Sequence, residues 1–473
     1  MRIGEWWQPR TLVVVLCVGT VFIMVLGPLI DPDLYWHLAN GRLILTTGSI
    51  PRSDPFSFTK AGTAWICHEW LTEVGMYGLY AYLGPVALML VSACLITAAF
   101  TLVLMRCRAS PYWAALCTLF AVLASAPLLG TRPQMVSLLL ASVTVYIVET
   151  GGPLWALVPL GALWANLHGA FFTGPVLVGA YAAGEAVERL ASRANADSRE
   201  CRRLRQLVLT TIGMALAPLL NPYGLRLYSY PFETLTSGAM RAHIAEWLSP
   251  NFHTLEFQPL ALFLLALLAA LASSGKRPSA PRLLLLLGAF YAALSSARHV
   301  PLFALVATPV LAEQAALVVP MAARPAGRST RSFAIAFGCL AVALLVLGAV
   351  WRIQAVAAFN ETAVRVRYPV VALEVLQQSD SSGNLLNDYD WGGFLIWRGE
   401  KVFIDGRADV YGDEFFNQYS QLYHGQIPSE GILSTYGIGR VLIKSDAPLA
   451  ATLRANPVWR ELYQDTQAVV FVR

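Results

Sequence analysis

The chain has 473 residues, of which 56% are hydrophobic and 13% are charged, whereas a soluble globular domain carries roughly 25% charged residues. This deficit excludes an ordinary soluble enzyme, a disordered chain and a coiled coil. Residues 352–473 contain 11 Lys/Arg and 14 Asp/Glu, and the first 351 residues contain only 38 charges. We therefore predict a membrane-embedded domain, residues 1–351, followed by a water-soluble domain, residues 352–473.

Apolar stretches long enough to cross a bilayer as helices recur along the first domain. They predict a polytopic α-helical membrane protein of about eleven spans, the first of them uncleaved. The predicted spans are residues 11–30, 85–105, 111–129, 134–149, 154–168, 171–187, 207–221, 257–273, 283–297, 300–319 and 333–351.

Basic residues predict the orientation of these spans, because loops rich in Lys and Arg stay in the cytoplasm. With a cytoplasmic N-terminus, the inner segments hold 16 basic residues and the outer loops hold seven. The inner ones are Arg2, Arg10, Arg106, Arg108, six arginines from Arg189 to Arg205, Lys276, Arg277, Arg282, Arg324, Arg328 and Arg331. We expect a plasma-membrane or inner-membrane protein whose terminal domain is extracytoplasmic. We expect no nucleic-acid partner, because the basic residues behind the net charge of +5 gather in loops between spans, where they set the orientation of the spans.

The first outer loop, residues 31–84, is far longer than a usual helix–helix connection. It opens with Asp31 and Asp33, and His37 follows one helical turn later. Asp33 could cap a helix from Leu34 to about residue 46. Alternatively, the two carboxylates lie so close that a cation, a proton or a hydroxyl substrate must sit between them.

Other polar residues fall at the predicted outer ends of spans. His68 and Glu69 follow in the first loop, with Glu73 one turn later, and the later outer segments supply Arg132, Asn166, His168, Arg298 and His299. Single basic residues at span ends can simply snorkel to the interface. Alternatively, a basic outer opening that suits a phosphate-bearing substrate would be formed by Arg42, Arg132, Arg298 and the histidines. We expect one outer cavity to collect Asp31, Asp33, His37, His68, Glu69, His168 and His299.

The terminal domain alternates helical and strand patterns, which predicts a small three-layer α/β fold. Helices are expected at 369–378, 391–397, 413–422 and 430–436, and strands near 385, at 401–406, at 440–445 and twice within 461–473. Asp390, Trp391, Asp405 and Arg407 would follow strand ends, where open α/β sheets bind ligands. The alternative is ordinary turn chemistry.

The motif DPDLYWHLANGR, residues 31–42, resembles the first-loop motif of the GT-C superfamily of membrane glycosyltransferases, especially oligosaccharyltransferase catalytic subunits. The predicted layout is also similar to theirs. The resemblance implies that Asp33 is the principal catalytic or metal-contacting aspartate, that Asp31 is its acidic partner, and that His37 and Arg42 are later polar positions. DYDWGGFLIW is similar to their acceptor-binding motif but differs in residue order, and GTRPQ is too short to carry their second acidic motif.

The resemblance further implies inverting transfer of a sugar from a polyprenyl-phosphate-linked donor to an extracytoplasmic lipid, glycan or protein. Asp33 would be the base, and Asp31 would position it or share a divalent cation, Mg²⁺ or Mn²⁺. Apart from these aspartates and His37, the expected substrate-binding residues are Arg42, His68, Glu69, Arg132, Asn166, His168, Arg298, His299, Asp390, Trp391, Asp405 and Arg407.

Two other classes stay open. A transporter would place ionisable residues near the bilayer midplane, but the predicted spans contain few charges. A noncatalytic assembly protein for cell-surface glycans would use the terminal domain to bind partners.

The predicted orientation can be tested with reporter fusions at residue 200 and at the C-terminus. We expect a cytoplasmic reading at residue 200, because the arginines around it resist translocation, and an extracytoplasmic reading at the C-terminus. Identical readings at the two positions would contradict the predicted topology.

Overall fold

Apolar runs and well-placed breakers make most of the chain helical. The computed structural model describes residues 9–192, 198–321 and 330–473. Four of the predicted inner arginines, Arg2, Arg193, Arg324 and Arg328, lie outside these ranges. The chain divides into two units: Met1–Gly27, Met89–Gly224 and Ala245–Val356 form the first, and Pro28–Leu88, Leu225–Ile244 and Ala357–Arg473 form the second.

The described residues form nineteen α-helices and four strands, with short 3₁₀ turns between some of them. The helices up to residue 216 are α1 Pro9–Val25, α2 Leu34–Thr47, α3 Trp70–Arg106, α4 Pro111–Ser125, α5 Gln134–Thr150, α6 Leu157–Leu167, α7 Thr173–Ser192 and α8 Ser198–Leu216. Then come α9 Ser229–Thr236, α10 Gly238–His243, α11 Gln258–Ser273, α12 Ala280–Ser295, α13 Val300–Val318 and α14 Thr330–Arg367. The last elements are α15 Val370–Gln378, β1 Asn384–Asn387, α16 Gly392–Trp397, α17 Ala408–Tyr423, α18 Ser429–Thr435, β2 Ile438–Lys444, α19 Pro448–Arg454, β3 Arg460–Gln464 and β4 Ala468–Val472.

Each of the eleven predicted spans falls on a helix. Among the described residues, six helical stretches are long and apolar enough to cross a membrane, and four shorter helices are also apolar. The chain is therefore an integral membrane protein, while the number of spans stays a prediction. The predicted start of the second span at residue 85 coincides with a break in α3, where Gly84 has a φ of 82° and precedes Pro85. Glycine adopts this conformation without a steric penalty, and proline disfavours a helical residue before it.

The first unit is built around α13, which is buried along most of its length. Its Phe303 contacts Phe263 of α11 and Phe290 of α12, with ring centroids 6.0 and 5.8 Å apart. Edge-on ring pairs of this kind add to the free energy gained by burying apolar area. The packing of α13 therefore fixes the positions of the helices around it.

Charged side chains at the predicted inner ends of four spans meet in the first unit. Arg106 Nε lies 2.9 Å from Glu149 Oε2, and Arg282 Nε lies 3.0 Å from Glu149 Oε1. Arg282 also pairs with Glu313, at 2.7 Å between Nη1 and Oε2. Since buried charges need partners, this cluster satisfies Glu149 and Glu313, while Glu185 of another predicted span pairs with Arg203.

A four-stranded sheet in the order β1-β2-β4-β3 lies in the second unit. Strands β1 and β2 are parallel, and β4 pairs antiparallel with both β2 and β3. Every residue of β4 is buried, and α15 packs against β3 and β4. These four strands confirm the predictions near residue 385, at 440–445 and in the last thirteen residues. Helix α19 was not predicted, because a seven-residue helix has too little periodicity to detect.

The predicted strand at 401–406 is wrong. Val402 makes only isolated parallel bridges, to Leu385 and to Ser57. The side chain of Asn387 takes the place of a strand partner next to it: Oδ1 accepts a hydrogen bond from Phe403 N, and Nδ2 donates to Ile404 O, both at 2.8 Å. A side-chain amide thus satisfies backbone groups that a regular ladder would have paired.

The long predicted loop, residues 31–84, packs within the second unit against the terminal segment, residues 357–473. Helix α2 matches the predicted helix from Leu34 and lies against α16, where a Cβ on Gly393 would lie only 2.7 Å from Pro32 O. Thr59 Oγ1 donates to Phe403 O at 2.7 Å. Glycine at 393 is therefore needed for this close backbone approach.

A buried guanidinium joins the same two segments. Arg407 Nη1 lies 2.7 Å from Asp54 Oδ1, Nη2 lies 2.6 Å from Asp405 Oδ2, and all three side chains are 0% exposed. The rings of Phe56 and Trp65 lie 5.1 and 4.9 Å from the guanidinium. Burial alone would lower the pKa of Arg407, but the Asp405 carboxylate outweighs it, so the pKa lies well above its usual value.

We predict that Arg407→Met destabilises the folded protein by about 3–5 kcal/mol, because it leaves two buried carboxylates without their cation. The matched control is Arg454→Met, which removes a guanidinium from the exposed pair with Glu461. Exposed pairs contribute at most about 1 kcal/mol. Thermal unfolding in detergent measures both variants, and equal shifts in melting temperature would contradict the assigned role of Arg407.

Candidate functional site

The motif at residues 31–42 places several polar side chains on one face of α2. Asp33, Trp36, His37 and Asn40 recur every three or four residues, so they are neighbours on the helix surface. Asp33 precedes the helix but makes no capping bond; its Oδ1 accepts a hydrogen bond from Trp36 Nε1 at 3.0 Å. Asp31 Oδ1 accepts from Asp33 N at 2.9 Å. The structure therefore does not favour the alternative in which Asp33 caps α2.

Helix α3 brings two glutamates to this face. Glu69 immediately precedes α3 and Glu73 lies one turn into it. Helix α2 approaches closely at Gly41, where a Cβ would overlap Glu73 O. Only glycine allows this approach, which places the Glu73 side chain among the polar residues of α2.

These residues form a buried histidine–glutamate cluster: His37, Asn40, Cys67, His68, Glu69 and Glu73. His37 Nδ1 lies 2.9 Å from Glu73 Oε1 and 3.5 Å from Glu69 Oε2. His68 Nε2 lies 3.3 Å from Glu69 Oε1. Asn40 Nδ2 donates to Glu73 Oε2 at 2.5 Å, and Cys67 Sγ donates to the same oxygen at 3.1 Å. Every carboxylate oxygen of the two glutamates therefore has a partner.

The glutamates determine the charge of the two histidines. Burial lowers the pKa of His37, but its hydrogen bond to Glu73 and the charge of Glu69 outweigh burial, so the pKa is raised. The pKa of His68 is raised as well, since the Glu69 charge outweighs burial. The His68 ring also stacks on Tyr230, with centroids 3.8 Å apart. Two imidazolium and two carboxylate groups would leave the cluster with no net charge.

Asp409 of α17 interacts electrostatically with His68. Burial raises the pKa of Asp409, and the charges of His68 and Arg407 offset this only partly. A carboxyl group whose pKa is raised in this way is a candidate proton donor. The sequence analysis did not select Asp409 as a site residue.

Potential metal ligands converge at one place among the described residues. His37, Glu69 and Glu73 each offer a ligand atom, and these atoms lie within 4.8 Å of one another. The predicted metal contacts, Asp31 and Asp33, are not part of this group. An imidazole nitrogen ligand suits Zn²⁺, whereas Mg²⁺ prefers oxygen ligands.

Asp33 itself lies beside the terminal segment. A Cβ on Gly406 would overlap Asp33 Oδ1, and Tyr389 Oη donates to Gly406 O at 3.4 Å. The pKa of Tyr389 lies well above its usual value, chiefly because the ring is buried and then because of the Asp33 charge. The hydroxyl therefore stays protonated beside Asp33.

The remaining predicted residues of the second unit lie in other surroundings. Arg42 stacks on Trp397, 4.4 Å from its ring centroid. Asp390 pairs with Lys444 at 2.8 Å, and Trp391 is buried. The buried pairing of Asp405 and Arg407 favours a structural role over the predicted contact with substrate.

In the first unit, two predicted arginines share one glutamate. Arg132 Nη1 lies 2.6 Å from Glu246 Oε2, and Arg298 Nη2 lies 3.8 Å from Glu246 Oε1. Arg298 also stacks on Trp247, 4.3 Å from its ring. Burial raises the pKa of Glu246, but the two arginines lower it more, so it stays ionised. This group therefore carries one net positive charge.

The other predicted residues of the first unit are buried or partly buried. His168 Nδ1 accepts from Ala170 N and lies 2.8 Å from Ser137 Oγ. Asn166 Oδ1 accepts from Asn221 Nδ2 at 3.3 Å. His299 Nδ1 is buried without a hydrogen-bond partner among the described residues.

Sequence reasoning noted Glu73 but did not select it, and it missed Asn40, Cys67 and Tyr230. The spacing of Glu69 and Glu73 by one helical turn was a usable signal. Asn40 had a similar signal, three residues after His37. Tyr230 had none, because it is 162 positions away from His68 in the chain.

Comparison with solved structures shows the fold. The archaeal oligosaccharyltransferase AglB from Archaeoglobus fulgidus, in complex with an inhibitory peptide and a dolichol-phosphate, matches with a TM-score of 0.57 at 13% identity over 94% of this chain and 70% of that one. Its apo form matches with a TM-score of 0.54 at 14% identity over 93% and 70%. ArnT from Cupriavidus metallidurans, bound to undecaprenyl phosphate, gives 0.48 at 15% identity over 99% and 98%. No family model and no curated protein matches the sequence.

The fold is thus similar to that of the oligosaccharyltransferase AglB, and the predicted resemblance is confirmed at the level of fold. At sequence identities of 13% and 14%, the similarity to these structures shows the fold alone.

Proposed function

We propose that the protein is a membrane glycosyltransferase that transfers a sugar from a polyprenyl-phosphate-linked donor to a lipid, glycan or protein acceptor. The observation that carries this proposal is the placement of Asp31 and Asp33 at the start of the first long loop, next to the helix α2 that supplies His37 and Asn40 to the histidine–glutamate cluster, in a chain with a fold similar to that of AglB. The AglB structure contains a dolichol-phosphate, which is a lipid carrier of the proposed class.

Asp33 is the base in this proposal. Its Oδ1 is oriented by the Trp36 indole, and its backbone N–H is held by Asp31. The carboxylate removes the proton of the acceptor hydroxyl as that oxygen bonds to the anomeric carbon. The bond from the anomeric carbon to the phosphate oxygen breaks on the opposite face, its electron pair stays with the phosphate, and the configuration inverts.

The departing phosphate needs a cation or hydrogen-bond donors, because its negative charge develops in the transition state. Arg132, Arg298 and His299 are the proposed phosphate ligands of the first unit. The two arginines share Glu246, so this group keeps one net positive charge. The buried His299 Nδ1 has no hydrogen-bond partner among the described residues, so it is available for a hydrogen bond with a phosphate oxygen. Arg132→Gln and Arg298→Gln should therefore lower kcat and kcat/KM for the lipid-linked donor in the same proportion.

Asp33→Asn should lower sugar transfer by roughly 10²–10⁴-fold, the range over which general bases contribute. Its melting temperature should change little, since Asn keeps the size of the side chain. Mass spectrometry of cells with and without the protein first identifies the lipid-linked donor that accumulates. The assay then measures transfer of radiolabelled sugar from this donor to the acceptor in membranes. Asp380→Asn, an exposed carboxylate of the same unit, is the matched control. A folded Asp33→Asn variant with wild-type transfer would refute the assignment.

Gly406→Ala provides an independent test of the position of Asp33. The new Cβ would overlap Asp33 Oδ1, which is the movable end of a side chain, so the carboxylate should rotate away at little cost in stability. We expect transfer to fall at least tenfold with a nearly unchanged melting temperature. Gly431→Ala, where a Cβ meets nothing within 4 Å, should leave transfer unchanged. Equal activity of the two alanine variants would show that Asp33 does not need its present position.

A further inference from the structure

A buried amide oxygen lies next to the histidine–glutamate cluster without a hydrogen-bond partner. Asn40 is 0% exposed, and its Nδ2 donates to Glu73 Oε2 and to Cys67 Sγ. Its Oδ1 has no partner among residues 9–192, 198–321 and 330–473. An unsatisfied buried acceptor costs about 1–3 kcal/mol. Such an oxygen in a buried polar cluster indicates that a further group binds there.

The neighbouring ligand atoms have the spacing that a metal ion requires. A tetrahedral ion with ligands at about 2.1 Å holds neighbouring ligand atoms about 3.4 Å apart. His37 Nδ1 lies 2.9 Å from Glu73 Oε1 and 3.5 Å from Glu69 Oε2. All three ligand atoms lie within 4.8 Å of one another, so side-chain rotations, together with release of the proton on His37 Nδ1, would bring them around one ion.

We propose that His37, Glu69 and Glu73 bind one divalent ion of the zinc class, and that Asn40 Oδ1 accepts a hydrogen bond from a water molecule on that ion. One imidazole nitrogen and two carboxylates are a ligand set typical of Zn²⁺ with an open fourth position. Magnesium and calcium ions would not select a site with a nitrogen ligand.

The ion would hold α2 against the start of α3. His37 belongs to α2, Glu73 belongs to α3, and Glu69 immediately precedes α3. The helices already approach closely at Gly41, so one ion can bridge them. Because Asp33 begins the same turn of α2 as His37, the ion would also fix the helix that positions Asp33. This inference concerns metal binding and does not depend on sugar transfer.

The test uses the full-length protein in detergent, stripped with EDTA, reloaded with Zn²⁺ and desalted. We expect one zinc per chain by mass spectrometry of the metal, and a higher melting temperature with zinc than without it. Glu73→Gln and Asn40→Leu should weaken zinc binding by roughly 10–100-fold, the range for lost ligands and their supporting groups. Glu149→Gln is the matched control, because it changes another buried, ion-paired glutamate, in the first unit.

Several outcomes would overturn the inference. Wild-type protein without stoichiometric zinc would show that the cluster is held by its own charges alone. Equal zinc binding by Glu73→Gln and wild type would place the zinc elsewhere, for example on exposed Cys94, Cys201 or Cys339. Asn40→Leu keeps every charge, so it provides the answer if Glu73→Gln does not fold.

Asp33→Asn separates this inference from the proposed function. The variant should keep stoichiometric zinc while it loses sugar transfer. Zinc bound to a wild-type protein that transfers no sugar would refute the proposed function and support the metal site. Sugar transfer by a wild-type protein that binds no zinc would support the proposed function and refute the metal site.

Discussion

The second unit depends on one buried guanidinium. Arg407 reaches from the terminal segment to Asp54 in the first long loop, while Asp405 holds it from its own segment. A buried charge without partners would cost several kcal/mol, so loop and terminal segment must pack together in one arrangement. Tyr411 Oη adds a hydrogen bond to Asp405 Oδ2 at 2.6 Å. The position of the loop, and with it the position of Asp33, follows from satisfying this ion group.

Glycines then determine how closely the site residues approach. Gly393 allows backbone contact with Pro32, Gly406 leaves room for the Asp33 carboxylate, and Gly41 allows α2 to approach Glu73. A side chain at any of the three positions would overlap or crowd its neighbour. The geometry of the site therefore depends on the space available at these three glycines as well as on the polar groups themselves.

The structure changes how the roles of loop and terminal segment are understood. The sequence analysis assigned the motif DYDWGGFLIW, similar to an acceptor-binding motif, to the terminal domain and the candidate catalytic aspartates to the membrane domain. Loop and terminal segment instead belong to the same unit, joined by the bridge between Ser57 and Val402 and by Arg407. Removing the terminal segment would expose the apolar and charged partners of the loop. Functional separation of the two therefore calls for point substitutions such as Gly406→Ala.

Features that depend on local composition could be predicted without the structure. Hydrophobic length predicted where the membrane helices lie, Gly84 and Pro85 marked the break in α3, and the aspartates before Leu34 marked the start of α2. The four strands and the helices α15 to α18 of the terminal segment were likewise predictable, because burial on one face leaves a periodic pattern. The fold resemblance rested on a dozen residues and the layout of the chain.

Which polar residues contact one another depends instead on how distant parts of the chain pack. Asn387 replaced a strand partner at Phe403 and Ile404, which no local pattern indicates. Arg407 proved to be a buried structural cation, and His37 met Glu73 rather than Asp33 as its nearest acid partner. These pairings join residues 16 to 353 positions apart. They arise because charges and amides removed from water must find partners wherever the packing of the chain brings them.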